Sequence, residues 1–476
     1  MSQRPLQRRE RPYVDGDWRD ADDVLDVTDL ADGGTFAQVA AASPEQADQA
    51  LAAAERAQSA LRETTIPERA AWMDAIADGL VERKEELAEV IVREAGKPIS
   101  SARGEVESAA ERFRRAKEEI RAMTGEFREG TTAGHEGWNA IVKHEPVGTV
   151  LAITPYNYPL STTALSVAPA LAAGNAVVLK PASATPVSAA ILAAVVAELD
   201  LPDGAFNFVP GRGSVVGDVL SGDDRVDMIS MTGSSAAGKH VAKESGMVNL
   251  HMELGGNAPA VVFPDADLGD VAGECAKGSF KYAGQRCSAV SRVLAHESVH
   301  DEVVDRLEAE MDAWQPGDLF EEETTMGPLI DEGQAEWVEG LVEDAVEKGA
   351  RLVRGGDREG ATFEPTLLAD VPDDARIVHE EQFGPVAAVT TFETEAEAIE
   401  IANRGDLALD ASVFTSDYDR AMELADELDA GAVRINGAPS HGLGDVPFGG
   451  NDASGIGRQG LHTTIEEMTR KKSIVL

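Results

Sequence analysis

The sequence has few cysteines and no long apolar run, and each shortage excludes a class of protein. Two cysteines, Cys275 and Cys287, cannot build the disulfide framework of a small secreted protein, so a reducing cytoplasm is predicted. The longest apolar run, residues 189–197, is too short to span a bilayer. The basic segment at residues 1–11 lacks the apolar stretch of a signal peptide. We therefore expect a cytoplasmic protein with no membrane partner.

Basic residues are also scarce. The chain has 42 basic and 85 acidic residues, a formal net charge of −43, and the acidic residues are spread over its whole length. Such a surface repels nucleic acid, and an acidic interaction tail would form a block instead. Self-repulsion of this size is tolerable in molar salt, where the Debye length is about 3 Å. We interpret the composition as halophilic; an acidic mesophilic protein is the alternative, because net charge reports on solubility and not on fold.

The chain of 476 residues is long enough for two or three domains, and it shows no fixed-period repeat. Capping and apolar patterns predict helices at residues 44–60, 67–95 and 100–124. Residues 126–144 then change character and predict a hairpin arm, with a strand at 138–143. Because a protruding strand edge needs covering, we expect a homodimer or a homotetramer.

Strands alternate with helices through the rest of the chain. The predicted strands lie at residues 147–154, 176–180, 206–209, 226–231, 258–263, 291–295, 411–415, 432–436 and 472–476. Helices fall between them, the last ones at residues 392–403 and 418–428. This pattern predicts parallel sheets wound on both faces, with ligands at the carboxyl ends of the strands.

Two side chains suggest covalent chemistry. Cys287 is surrounded by small residues, and the neighbouring Arg286 would favour the reactive thiolate; the alternative is an inert buried thiol. Glu253 stands in an apolar, glycine-flanked stretch that would raise its pKa. A nucleophile and such a carboxylate are the minimum equipment for making and hydrolysing a covalent intermediate.

Polar residues follow two of the predicted strands. Asn157 comes after the strand at 147–154, where its amide would donate to an oxyanion together with the Cys287 N–H, unless it only forms a turn. Lys180 and Ser183 end the next strand and would contact a phosphate or a ribose, unless the lysine is merely a surface residue.

Glycines mark two further turns. Gly211, Gly213 and Gly217 do not match the G-x-G-x-x-G spacing of a dinucleotide turn, so their signal is weak. Gly233 and Ser234 stand where a strand passes into a helix, and their backbone N–H groups would meet a pyrophosphate.

Together these turns carry a resemblance to a known family. The chain resembles the aldehyde dehydrogenase superfamily from residue 13 to the carboxyl terminus, through TPYNYP (154–159), KPAS (180–183), MTGS (231–234), ELGG (253–256), GQRC (284–287), EQFGPV (381–386) and PFGG (447–450). Within the superfamily, the sequence most resembles the non-phosphorylating NADP-dependent glyceraldehyde-3-phosphate dehydrogenases and the archaeal lactaldehyde dehydrogenases.

The resemblance implies an α/β fold in three parts. A doubly wound parallel sheet would form the cofactor domain, from residues 1–125 and 146–253. A second α/β domain, residues 254–450, would be catalytic. Residues 126–145 and 459–476 would form the bridging oligomerisation arm.

The resemblance also implies residue roles. Cys287 would be the nucleophile, Glu253 the base that activates the hydrolytic water, and Asn157 the oxyanion donor. Glu381 would hold the nicotinamide ribose and Phe383 the nicotinamide ring. The remaining residues implied for the cofactor are Thr154, Pro155, Lys180, Ser183, Gly213, Gly217, Gly233, Ser234 and Leu254. No metal site is expected.

Ser183 departs from the pattern of many NAD-preferring members, which have a glutamate there. A glutamate would repel a 2′-phosphate and a serine would not, so NADP is slightly favoured over NAD. For the substrate, Arg286 lies beside the nucleophile, and Arg103 and Arg112 come from a helix that would line the mouth. Arginine suits a carboxylate or a phosphate, unless these side chains only pair with surface carboxylates.

We therefore predict an NAD(P)-dependent oxidation of a small hydroxylated or anionic aldehyde to the acid. Glyceraldehyde 3-phosphate, lactaldehyde and glyceraldehyde are the candidates. The alternatives are a succinate or 2-oxoglutarate semialdehyde dehydrogenase, a CoA-acylating enzyme and a non-catalytic acidic binding protein. Glu253 argues against CoA acylation, and the joint presence of Cys287, Glu253 and Asn157 argues against a binding protein.

Overall fold

The first long helix begins as its sequence predicts. In the computed structural model, which describes residues 8–476, the Ser43 hydroxyl accepts the Gln46 N–H and the Gln46 side chain accepts the Ser43 N–H. This capping box opens the helix Pro44–Glu63. Part of the segment examined for a signal peptide, residues 1–7, lies outside the described residues.

The helices of the described chain are α1 (Pro44–Glu63), α2 (Ile66–Glu82), α3 (Lys84–Ala95), α4 (Ile99–Ala122), α5 (Ser161–Ala173), α6 (Val187–Ala197), α7 (Asp218–Ser221), α8 (Ser235–Glu244), α9 (Leu268–Phe280), α10 (His300–Glu310), α11 (Glu332–Glu347), α12 (Arg376–His379), α13 (Glu395–Ala402), α14 (Tyr418–Glu427) and α15 (Leu461–Glu467).

The strands are β1 (Arg8–Glu10), β2 (Tyr13–Val14), β3 (Asp17–Trp18), β4 (Asp23–Thr28), β5 (Thr35–Ala41), β6 (Glu126–Glu129), β7 (Asn139–Pro146), β8 (Thr149–Ile153), β9 (Ala176–Lys180), β10 (Phe206–Phe208), β11 (Met228–Thr232), β12 (Asn249–Glu253), β13 (Ala258–Val262), β14 (Val290–His296), β15 (Arg351–Arg354), β16 (Arg358–Glu359), β17 (Thr362–Phe363), β18 (Thr366–Ala369), β19 (Val386–Phe392), β20 (Leu407–Ala408), β21 (Asp410–Phe414), β22 (Ala432–Ile435), β23 (Asn451–Asp452), β24 (Gly455–Ile456) and β25 (Thr469–Val475).

The first large sheet has the strand order β24-β12-β11-β8-β9-β10-β2-β3, and the five strands from β12 to β10 run parallel. Side chains alternate between its faces: Val150 and Ala152 of β8 pack with α2 to α6, while Leu151 packs with α1. The strand order reverses between β8 and β11. The carboxyl ends of these two strands therefore open a crevice where ligands of such sheets bind.

The second large sheet has the order β15-β18-β19-β14-β13-β21-β22, and every pair except β15–β18 is parallel. Its core includes α9 and α10 on one face and α13 and α14 on the other. The loop before β14, which carries Cys287, brings the amino-terminal edge of this sheet to the crevice of the first. The predicted α/β class with two parallel-sheet bodies is confirmed.

The predicted arm is an antiparallel sheet in the order β25-β7-β6. Of the segment 459–476 assigned to the arm, β25 joins this sheet, whereas α15 buries Leu461 and Ile465 in the core of the first body. The domain boundaries remain a prediction.

Tertiary packing overrides the local pattern in several places. The helix predicted for residues 67–95 breaks at Arg83, with φ −100° and ψ 18°, so that α3 turns to bury Leu87 and Ile91. No glycine or proline marks this break. The helix predicted from residue 392 begins at Glu395, because Thr394 caps it and residue 392 ends a strand. Among the strands of the two large sheets, the sequence does not predict β12, β15, β18, β19 and β24.

Candidate active site

Cys287 lies in a strained loop between α9 and β14. Three consecutive residues, 282–284, have φ between 50° and 69°, although only the third is glycine. A left-handed conformation costs a non-glycine residue about 1 kcal/mol, so neighbouring structure must hold it. The Tyr282 hydroxyl does so by donating to the Ala95 carbonyl at the end of α3 (2.8 Å).

Two cavities meet at this cysteine. One has a volume of about 540 Å³ and the other about 460 Å³, and Asn157, Thr232 and Cys287 line both. The first lies over the crevice of the parallel sheet, and the second also reaches Glu253, Arg112 and Arg286. A ligand in each cavity would therefore meet the other at the sulfur.

The surroundings of Cys287 favour the thiol. Burial first, and then the carboxylates of Asp410, Glu253 and Glu381, raise its pKa to about 12, while Arg286 acts in the opposite direction. Arg286 favours the thiolate in the predicted direction, but desolvation outweighs this one cation. A base has to accept the thiol proton when the sulfur attacks.

Glu253 ends β12 as a buried carboxyl without a hydrogen-bond partner on either oxygen. Burial, together with Asp410, holds its pKa well above the usual range, and Arg458 opposes this only in part. Gly449 lies opposite, where a side-chain Cβ would stand 2.7 Å from Glu253 Oε1. The carboxyl is thus untethered and desolvated, as suits a general base.

Asn157 is tied to the loop that carries the cysteine. Its Nδ2 donates to the Gln285 carbonyl (2.8 Å), two residues before Cys287. This bond uses one of the two amide hydrogens, and the side chain lines both cavities. The second hydrogen is available to an oxygen bound near the sulfur.

The larger cavity gathers most of the predicted cofactor residues. Those on its wall are Thr154, Pro155, Gly233, Ser234, Leu254, Glu381 and Phe383. They follow β8, β11 and β12 or come from the loop before β19, and Ser234 also caps α8, accepting the Ala237 N–H. A helix amino terminus at this place favours an anionic group of the ligand.

Glu381 and Phe383 are placed by contacts from other segments. A Glu381 oxygen accepts the Gly256 N–H (2.9 Å), and burial raises the pKa of Glu381 to about 7. Phe383 has φ 47° and packs edge-on against Tyr156, with 5.8 Å between ring centroids. A carboxylate near a ring is suited to hold the hydroxyls and the base of a nucleoside.

Four predicted cofactor residues lie outside this wall. Lys180 is buried, its Nζ donates to the Pro181 carbonyl (3.3 Å), and burial lowers its pKa to about 8. The Ser183 hydroxyl donates to the Gly211 carbonyl (3.0 Å), while Ala182 between these two residues does line the cavity. Gly213 and Gly217 begin and end a π-helical turn ahead of α7, away from the wall.

The smaller cavity contains two arginines with unused donors. The buried Nε atoms of Arg112 and Arg286 have no hydrogen-bond partner. Arg112 Nη1 donates to the Ser161 carbonyl (2.5 Å), and burial lowers the pKa of Arg112 to about 10, which leaves it charged at neutral pH. Arg103 does not reach the cavity: it pairs at the surface with Glu85 and Glu322.

Sequence reasoning missed other residues of this cavity. His441 stacks on Phe448, with ring centroids 4.1 Å apart, and its Nε2 lies 3.0 Å from Asp410 Oδ2. Asp410 is buried at the start of β21 and influences both Cys287 and Glu253. No motif marks His441 or Asp410, and Phe448 belongs to PFGG (447–450) without a predicted role, because these residues meet only through the packing of distant segments.

Over residues 8–476, no group of three or more histidine, cysteine and acidic side chains is placed to hold a metal ion. Within the same residues, no helix has both the length and the apolar character needed to cross a bilayer.

Comparison with known proteins gives consistent results. The model of the aldehyde dehydrogenase family matches residues 18–474. An NADP-dependent glyceraldehyde-3-phosphate dehydrogenase of Streptococcus equinus is 39% identical over 472 residues, 99% of each chain. A lactaldehyde dehydrogenase of Methanocaldococcus jannaschii is 36% identical over 468 residues, 98% of this chain and 99% of the relative.

A solved structure agrees equally closely. The NADP-dependent glyceraldehyde-3-phosphate dehydrogenase from Bacillus halodurans C-125, complexed with NADP, has a TM-score of 0.97 and 37% identity, covering 99% of both chains. The resemblance noted in the sequence is confirmed by these matches.

Proposed function

Because the chain belongs to the aldehyde dehydrogenase family, we propose that it oxidises a small anionic aldehyde to the carboxylate with NADP or NAD. One observation carries the proposal: Cys287 and Asn157 stand where the two cavities meet. A carbonyl carbon held at the sulfur from the smaller cavity then faces whatever occupies the larger one.

The residues suggest a sequence of steps. Cys287 Sγ bonds to the aldehyde carbon as the thiol proton passes to solvent in the substrate cavity, and Asn157 donates to the oxygen that becomes negative. NADP or NAD supplies the hydride acceptor, so the first half-reaction ends with a thioester on Cys287. Glu253 then takes a proton from the water that attacks the thioester, and the sulfur leaves as the acid forms.

The residues present fit a nicotinamide dinucleotide. Glu381 and Phe383 would hold its nicotinamide end, and Gly233 and Ser234 its pyrophosphate. Lys180 is a buried cation that forms no ion pair within the described chain, and Ser183 brings no negative charge beside it. This pair supports NADP over NAD, because a carboxylate at this place would repel the 2′-phosphate.

The free Nε donors of Arg112 and Arg286 support an anionic substrate, since a buried guanidinium pairs best with a carboxylate or a phosphate. Relatives named for glyceraldehyde 3-phosphate, 3-sulfolactaldehyde and succinate semialdehyde support the same class. Our order is glyceraldehyde 3-phosphate or a similar anion first, then lactaldehyde or glyceraldehyde, then a dicarboxylic semialdehyde.

The test compares glyceraldehyde 3-phosphate with glyceraldehyde at one fixed salt concentration. We expect kcat/KM to favour the phosphorylated aldehyde by about a hundredfold, because charged hydrogen bonds to the phosphate contribute a few kcal/mol. Arg112→Gln should lower this preference at least about tenfold, whereas Arg103→Gln, on the same helix but paired at the surface, should not change it. A wild-type ratio near one would contradict the anion site.

We further propose that the enzyme is a cytoplasmic homodimer or homotetramer adapted to high salt. The strand pairing places Phe127, Ile141 and Ile474 side by side across the arm, and all three are exposed. This apolar row supports self-association through the arm, and the net charge of −43 supports adaptation to salt.

A further inference from the structure

A histidine–glutamate pair lies behind the proposed base. His251 and Glu253 are two residues apart in β12 and so project from the same face of the strand. His251 is fully buried, and its Nδ1 lies 2.5 Å from Oε2 of Glu467, at the end of α15. Glu467 is partly exposed, so the three side chains run from the active site towards the surface.

The facing atoms of His251 and Glu253 are both unpaired. His251 Nε2 is buried without a partner, as are the two Glu253 oxygens, and Nε2 lies 4.0 Å from Glu253 Oε1. Buried polar atoms are almost always hydrogen-bonded. Two unpaired atoms that face each other therefore indicate a hydrogen bond that forms when the Glu253 side chain adopts another rotamer. A shift of the untethered carboxyl by about 1 Å reaches hydrogen-bond distance.

Glu467 fixes which imidazole nitrogen can accept a proton. Its carboxylate accepts a hydrogen bond, so Nδ1 carries the hydrogen and Nε2 keeps its lone pair. That lone pair is directed at Glu253. A protonated Glu253, whose Oε1 lies 4.0 Å away, can donate to it.

Several charged or titratable groups face Glu253. Burial and Asp410 raise its pKa most, Glu467 adds to this, and Arg458 opposes it. His251 and the Cys287 thiol are further neighbours. These surroundings raise the pKa of Glu253 and so favour its protonated form, which cannot take a proton from water.

We propose that His251, held by Glu467, takes the proton of Glu253, so that Glu253 meets the thioester as a carboxylate. The inference rests on the proposed function. The proton moves from Glu253 Oε1 to His251 Nε2, and the imidazolium is stabilised by the Glu467 carboxylate, so the net charge of the three groups is unchanged. Glu253 later takes a proton from the attacking water. This proton leaves through the substrate cavity once the carboxylic acid product has left. His251 and Glu467 are thus positioning residues that act through Glu253.

The test measures formation and decay of the acyl-enzyme by intact-protein mass spectrometry of quenched single turnovers, across a range of pH. In His251→Asn, the thioester should form as in the wild type. Its hydrolysis near neutral pH should fall at least about tenfold and recover at higher pH, because the pH limb moves by about one unit or more. Glu467→Gln should move the limb in the same direction by a smaller amount.

Two matched variants serve as controls. Glu466→Gln removes an adjacent exposed carboxylate, and His300→Asn removes another buried histidine that lies beside a surface carboxylate. Both should keep the wild-type profile. Circular dichroism and the melting temperature establish that each variant is folded. If His251→Asn fails to fold, Glu467→Gln still tests the inference, because it changes only a partly exposed side chain.

The outcomes distinguish a failure of the proton transfer to His251 from a failure of the proposed function. A His251→Asn profile that is lowered by the same factor at every pH, or is unchanged, would overturn the inference alone, as would an unshifted limb in Glu467→Gln. If the wild type forms no thioester with any aldehyde, the proposed function fails and the inference falls with it.

Discussion

Burial makes both proposed catalytic side chains, Cys287 and Glu253, hard to ionise. It raises the pKa of Cys287 to about 12 and holds that of Glu253 well above its usual range. A desolvated nucleophile and a desolvated base react strongly once they lose their protons, but they do so only with help from neighbours. The chemistry of this site therefore depends on which side chains carry a proton. The identity of the side chains alone does not determine this.

The two cysteines allow a matched test of the nucleophile. Cys287→Ala should lower aldehyde oxidation by at least about a thousandfold, because no other group can form the thioester. Cys275→Ala should keep activity, because this thiol is fully buried in the core of the second sheet. Steady-state turnover measures both, and appreciable turnover by Cys287→Ala would exclude the assignment.

A second substitution addresses the cofactor. Ser183→Glu should move the ratio of kcat/KM for NADP over NAD towards NAD by at least about tenfold, since a carboxylate repels the 2′-phosphate. Ser188→Ala, a buried hydroxyl of α6, provides a control that should leave the ratio unchanged. A wild-type enzyme that already requires NAD would contradict the role given to Ser183.

At the scale of elements, the loops that meet at the site are held by close backbone contact. A Cβ on Gly284 would lie 2.0 Å from the Gly384 carbonyl oxygen, so the loop that carries the cysteine rests directly on the loop that carries Phe383. Asn157 ties the same loop to the end of β8. Three segments far apart in the chain thus fix one sulfur.

Gly284→Ala should disturb this arrangement. We expect a loss of about 2 kcal/mol or more in the free energy of unfolding, because the residue also has φ 69°, together with a large loss of activity. Gly273→Ala, inside α9 with open space at its Cα, should instead stabilise the protein by about 1 kcal/mol and keep activity. Denaturant unfolding checks both, and an equally harmless Gly284→Ala would refute the close contact.

At the scale of the whole molecule, the arm and the surface charge decide how chains behave towards one another and the solvent. The exposed apolar row on the arm favours association, whereas a net charge of −43 opposes it unless salt screens the repulsion. Assembly and stability should therefore both depend on salt.

Ile141→Lys places a charge in the centre of that row. We expect it to dissociate the oligomer in light scattering at molar potassium chloride, because a buried unpaired charge is costly. Tyr418→Lys, which replaces an exposed ring on α14, should leave the mass of the oligomer unchanged. A wild-type monomer under these conditions would contradict the predicted assembly.

The melting temperature should fall by about 5 °C or more between molar and millimolar potassium chloride. The physical reason is repulsion among surface carboxylates that are no longer screened. The effect should shrink as the pH approaches the sequence pI of about 4.5, where the net charge disappears. A melting temperature that is independent of salt would exclude the halophilic interpretation.

The sequence by itself determined the α/β class, the family and the principal candidates for chemistry. Alternating strand and helix patterns and the turns after strands are local signals, so they could be recognised without any contact. Cys287, Glu253 and Asn157 were found in this way, and the structure brings Cys287 together with the other two around one cavity.

Only the tertiary structure decided which arginines reach the smaller cavity and which groups surround Cys287 and Glu253. Arg103 and Arg112 look alike in the sequence, but only Arg112 reaches the cavity. The pairing of His251 with Glu467 joins residues 216 positions apart. Burial and such distant partners set the pKa of a group and the direction of its hydrogen bonds, and neither is present in the sequence until the chain has folded.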